Sequence, residues 1–215
     1  VMINTALYIT QQLVYFFLKY DFSPNSYQSD FTLFNMVGGG FQILAMMLFF
    51  PLLRKFMETV KIFYTCFGMA IVGYIMILVV SLAGATNVAW LLIPAALIMS
   101  AVGVLNVIIT IFLANTVDYG ELKNKRRDES IIFSMQTFVV KLASGVAVLA
   151  ASICISVGKI SKDTTEAAAV AALSDSSRMV LRTTMAMIPI FGLCAALIIF
   201  AKKYILTDEK LEEIS

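Results

Sequence analysis

The segment SIIFSMQTFVVKLASGVAVLAASICISVG, from Ser130 to Gly158, is apolar apart from serines, Gln136, Thr137 and one ion, Lys141. At a helical rise of about 1.5 Å per residue such a run covers the roughly 30 Å hydrocarbon core of a bilayer, and it reads as a membrane-spanning helix. A charge facing lipid at that depth costs roughly 3 kcal/mol on insertion scales. Lys141 lies eleven residues beyond Ser130, about 16 Å deep, so a lysine stem of about 6 Å does not easily reach the interface. Its charge calls for a partner or a wet cavity, or for backbone carbonyls that hold it.

The whole chain has the same character. Its 215 residues are 60% hydrophobic and only 14% charged, with a mean hydropathy of +0.89. A soluble domain carries about 25% charged residues, and apolar runs of about 18 or more recur here, so the chain reads as an integral membrane protein. A net charge of +2, with basic residues clustered at span ends, gives no nucleic-acid surface. Cys66, Cys154 and Cys194 fall inside apolar spans and read as small packing residues. The chain has no histidine, which argues against zinc or haem. No serine–histidine pair, HExxH or paired aspartates fall within spans, so the chain reads as a non-enzyme with no catalytic residue, metal site or cofactor.

The expected fold is all-α, with six transmembrane helices over 1–206 and a cytoplasmic tail at 207–215. The spans are drawn at 3–18, 31–53, 62–82, 88–117, 130–157 and 179–206. Of the 16 basic residues, ten (Arg54, Lys55, Lys61, Lys123, Lys125, Arg126, Arg127, Lys202, Lys203, Lys210) fall on one side of these spans. Five (Lys19, Lys159, Lys162, Arg178, Arg182) fall on the other. The richer side is expected in the cytoplasm, with both chain ends. All 14 acidic residues lie in loops or at span ends, so no mid-span carboxylate is available to bind a cation.

Polar residues inside the spans form stripes. Ser130, Ser134, Thr137, Lys141, Ser144, Gly145 and Ser152 occupy a sector of about 100° on the fifth span. The first span aligns Asn4, Tyr8, Gln11 and Tyr15. The second aligns Asn35, Gly39 and Gln42, and the fourth Ser100, Gly103, Asn106 and Thr110. Such residues serve as ordinary helix-packing glue in membranes. They also donate and accept hydrogen bonds as a neutral polyol or sugar requires, which makes Lys141, Thr137, Asn106, Thr110, Gln11 and Tyr15 candidate cavity residues. The mixed-charge run from Asp118 to Ser130 reads either as a positive-inside flank with an acidic helix start or as an ionic latch.

That run and the span after it, DYGELKNKRRDESIIFSMQTFVVKLASG (Asp118 to Gly145), resemble the segment joining the tenth and eleventh helices of the glycoside–pentoside–hexuronide cation symporters. This family lies within the major facilitator superfamily. The resemblance rests on Asp118-Tyr119-Gly120-Glu121, Arg127, Glu129-Ser130, Gln136-Thr137 and Lys141. FFLKY (Phe16 to Tyr20) and YILTDEK (Tyr204 to Lys210) are weaker echoes of the start and finish of the same half. The resemblance implies helices seven to twelve of a twelve-helix transporter, in a bacterial cytoplasmic membrane, whose cation-binding aspartates lie on the amino-terminal half. A chain beginning at Val1 is consistent with such a piece. It further implies that Lys141, Thr137 and Gln136 line the central cavity, and that Asp118, Glu121, Arg127 and Glu129 form a cytoplasmic gate. Asn115 and Asn106 depart from an acid and a tryptophan of melibiose permeases, which points to another sugar.

The resulting expectation is half of a sugar or glycoside symporter coupled to Na+, Li+ or H+ and working by alternating access. Its partners are the sugar, the cation, the bilayer and the amino-terminal half. The alternatives are a proton-coupled carrier of another small solute and a non-catalytic structural subunit.

Overall fold

The computed structural model describes residues 2–23, 25–84, 87–125, 128–157 and 174–203, and among them it is helical with no strand. Helix α1 (Met2–Phe17) runs into a π turn, Leu18–Phe22. Helix α2 (Tyr27–Leu44), a π turn at Ala45–Phe49 and α3 (Phe50–Arg54) form one continuous rod. The rod has a local cause. Pro51 has no N–H to donate and its ring crowds the preceding turn, so the helix widens just ahead of it, with Phe50 N–H bonding back to Ala45 O. Helix α4 (Thr59–Leu82) stops at Ala83–Gly84, where Gly84 adopts a φ of 69° open to a residue without Cβ. Helices α5 (Ala89–Asn124), α6 (Glu129–Val157) and α7 (Asp175–Lys203) follow.

Among the described residues five helices are long and apolar enough to cross a membrane: Tyr27–Arg54, Thr59–Leu82, Ala89–Lys123, Glu129–Val157 and Asp175–Lys202. The 16 residues of α1 and the 5 of its π turn together run about 30 Å. Several helices start before the apolar run they carry, at Tyr27 rather than Phe31 and at Asp175 rather than Met179. Helix α5 ends at Asn124 rather than Val117, so Asp118 and Glu121 stand on helix and not in a loop. Helical hydrogen bonding does not stop at the hydrocarbon boundary, and Glu, Leu and Lys are good helix formers. Arg127, Lys159, Lys162, the stretch 204–206 and the expected tail 207–215 lie outside the described residues.

The packing has a hidden order. Helix α5 packs on α2 and α4, while α1 packs on α6 and α7, and α4 meets α7. Exchanging α1 with α5, α2 with α6 and α4 with α7 leaves this neighbour list unchanged. The described helices therefore fall into two three-helix units with the same neighbour pattern, as the nested repeats of a transporter half would have. Lighter contacts of α1 with α2 and of α5 with α6 close a ring of four helices, α1–α2–α5–α6, with α4 and α7 behind it.

Close approach in a bilayer depends on small residues, because lipid tails give helices no hydrophobic drive to associate. Gly73 of α4 lies so close to α5 that an added Cβ would sit 2.5 Å from Ile98 Cγ1. At Gly103 of α5 it would sit 2.8 Å from the backbone oxygen of Gln42 on α2. Helix α6 instead buries an alanine seam, Ala143, Ala147 and Ala151, with Cys154 beside it. Where α4, α5 and α7 converge, the rings of Phe63, Phe112 and Phe200 lie with centroids 4.2 to 5.6 Å apart.

Candidate functional site

On α6 the alanine seam determines which way Lys141 points. At about 100° per residue Lys141 lies nearly opposite Ala143, and its side chain is exposed and makes no ion pair with any described residue. Thr137, one turn earlier on the same face, is also exposed. Its hydroxyl donates to Phe133 O at 3.1 Å, and that of Ser144 donates to Lys141 O at 2.7 Å. Both protons are satisfied within the helix, which leaves the oxygens as acceptors. Gln136 is half-buried and lies about 140° around the helix from Lys141, so the two do not share a face.

Helix α1 buries Leu13, Val14 and Phe17 and leaves Asn4, Tyr8, Gln11 and Tyr15 half-buried, with Gln12 exposed. Its polar stripe is thus its least packed face. Tyr15 stands edge-on to Phe31 at 5.2 Å and to Tyr27 at 5.8 Å, which ties it to the start of α2. The Lys19 ammonium lies 5.3 Å from the Tyr20 ring and 5.6 Å from the Tyr27 ring. On α5, Asn106 is half-buried and Thr110 exposed, and the Thr110 hydroxyl donates to Asn106 O at 3.0 Å.

The four helices with polar stripes are α1, α2, α5 and α6, and these are the four that close the ring. Thr137 and Lys141 come together on one face, Asn106 and Thr110 on another, and Gln11 and Tyr15 on a third. Among the gate candidates, Asp118 and Glu121 are exposed on the last turns of α5, where the Lys123 ammonium lies 6.0 Å from the Tyr119 ring. Glu129 is exposed and opens α6, and Lys125 ends α5 in the left-handed region. Arg127 is outside the described residues.

Two polar links escape a reading of the sequence. Arg182 of α7 grips Asp21 in the π turn after α1, with Nε 2.5 Å from Oδ2 and Nη2 2.9 Å from Oδ1. This fork is the strong, planar form of an ion pair. The hydroxyls of Thr10 and Tyr74 share a buried hydrogen bond of 2.8 Å between α1 and α4. Each pair joins residues far apart in the chain, and local periodicity carries no signal for either. Among the described residues no three His, Cys, Asp or Glu side chains cluster as a metal site would require.

The sequence profile of the family described as MFS/sugar transport protein matches residues 2–208. The lactose permease of Lactobacillus delbrueckii subsp. bulgaricus is 29% identical over 166 residues, covering 77% of this chain and 25% of the permease. The chain therefore spans about a quarter of that relative's length. A multi-pass, all-α membrane chain with the neighbour pattern that the nested repeats of a transporter half would have, matched along nearly its whole length, belongs to the MFS/sugar transport protein family.

Proposed function

We propose that this chain is the carboxy-terminal half of a secondary transporter that moves a sugar or glycoside together with a cation by alternating access. The observation that carries this reading is the coincidence of four polar stripes with the four helices that adjoin one another, while Lys141 stands on the face of α6 that its own half leaves unpacked. Hydroxyls, amides and phenols on that side suit a polyol. A lone ammonium suits carboxylates across the cavity, supplied by the amino-terminal half of the same transporter.

In this mechanism Lys141 and the coupling cation, Na+, Li+ or H+, compete for the same carboxylates. Opposed charges in low dielectric offset their desolvation only when paired, so loading the cation frees the lysine, and the two events are thermodynamically linked. Thr137, Asn106, Thr110, Gln11 and Tyr15 hold the sugar, while Gln136, on another face of α6, does not meet it from the side of Lys141. Asp118, Glu121, Arg127 and Glu129 act as a cytoplasmic latch, in a bacterial cytoplasmic membrane with both ends of the half inside.

The test is Lys141→Val in the transporter that contains this chain, with sugar accumulation measured under separate Na+, Li+ and H+ gradients. Accumulation is expected to fall about tenfold or more, the factor that corresponds to 1.4 kcal/mol. Membrane insertion is expected to persist, because removing a mid-span charge eases it. Lys141→Arg should restore only part of the activity, since a planar fork bonds differently from an ammonium. Parental accumulation by Lys141→Val would reduce the lysine to a structural tether. The gradient that drives the parent names the ion.

A further inference from the structure

Helices α2 and α4 both pack on α5 but scarcely on each other, and the gap between them is a groove of about 400 Å³. Phe41, Phe49 and Leu53 form one wall, Met69 is on the other, and Leu97 and Val104 lie on the floor. The groove's two hydroxyls are turned to backbone. Thr65 donates to Lys61 O at 2.9 Å, and Ser100 is directed at Phe41 O at 3.5 Å. A sugar finds no partner here, and a hydrocarbon chain does. The groove lies on the flank of α2 away from α1 and α6, toward lipid, and it meets the polar stripe of α5 only at Ser100.

One end of the groove is charged. Arg54 and Lys55 follow Leu53 directly and are exposed, and Lys61 stands one turn before Thr65 on the facing helix. Lys61 pairs with Glu58 at 3.3 Å, and Arg54 and Lys55 make no ion pair among the described residues. Phe56, 80% exposed in the connecting turn, is an aromatic residue placed where a membrane interface would be. An apolar slot ending in uncompensated positive charge matches one molecule in the bilayer, a phospholipid with a negative head group.

We infer that this groove is a binding site for an anionic glycerophospholipid, with one acyl chain against α5 between α2 and α4 and the phosphate at Arg54 and Lys55. The site shares only Ser100 with the polar stripes and does not depend on which solute the transporter carries.

The test places bimane on Thr65→Cys, at the groove wall, in the purified transporter reconstituted with phosphatidylcholine carrying a varied fraction of chain-brominated phosphatidylglycerol. A parallel series uses chain-brominated phosphatidylcholine. Phosphatidylglycerol should quench at a lower mole fraction than phosphatidylcholine. Arg54→Gln with Lys55→Gln should weaken that preference by about fivefold per charge removed, the factor expected for a basic side chain near the lipid surface. Arg54 ends α3 and Lys55 opens the turn after it, and both are exposed, so the variant should fold. As a second measurement, Ala96→Phe should fill the groove floor and abolish quenching by either lipid. Equal quenching by the two lipids in the parent, a preference that survives the double substitution, or quenching lost only through self-association of the transporter would each overturn the assignment.

Discussion

In the pair between Asp21 and Arg182 the two charges are not equally placed. The Asp21 side chain is 1% exposed and that of Arg182 25% exposed, so water can reach the guanidinium but not the carboxylate. Removing one member of a buried pair typically costs about 3–5 kcal/mol, because the other is left uncompensated. The loss should therefore be larger for Arg182→Ala, which strands Asp21, than for Asp21→Ala, which leaves an arginine able to turn to solvent. Thermal unfolding in detergent should rank parent, Asp21→Ala and Arg182→Ala in falling order, with the double variant recovering part of the loss. The opposite order would mean that Asp21 acts through something other than this fork. Lys141 was legible because a charge in an apolar run announces itself. The fork was not, because its partners are 161 positions apart and each looks like an ordinary span-end charge.

At the level of the helices, close approach is specified by single small side chains. Gly103 faces the backbone oxygen of Gln42, which cannot swing aside as a flexible side chain would. Gly103→Ala should cost about 1–3 kcal/mol, as overpacking does, and should part α2 from α5. Gly39, in the GGG run of α2, meets nothing within 4 Å, so Gly39→Ala should be neutral or stabilising by up to about 1 kcal/mol through helix propensity. Thermal stability of the two variants checks the pair, and equal losses would refute the packing described. The positions of the helices were readable from apolar runs, and their polar faces from periodicity. The alanine seam of α6 was not, since alanine is neither conspicuously apolar nor polar and the serine stripe beside it offered the same spacing. The π turn ahead of Pro51 was equally silent, because a proline states that a helix must adjust without stating how.

For the molecule as a whole, the ten-to-five bias of basic residues sets an orientation that can be tested at two exposed turns. An impermeant thiol reagent applied to intact cells should label Asn25→Cys and leave Lys55→Cys untouched, and the reverse would invert the topology. The exchange pattern of the two three-helix units has another consequence, in the timing of biogenesis. Helices α1, α2 and α4 touch one another sparingly, because their main neighbours α5, α6 and α7 belong to the second unit. As the chain emerges from the ribosome, the first three helices must wait in the bilayer, inserted but largely unassembled. A chain ended after Leu82 should therefore enter the membrane and remain open to proteolysis. Compaction should come late and abruptly, when α5 slots between α2 and α4 and the last two helices close over α1.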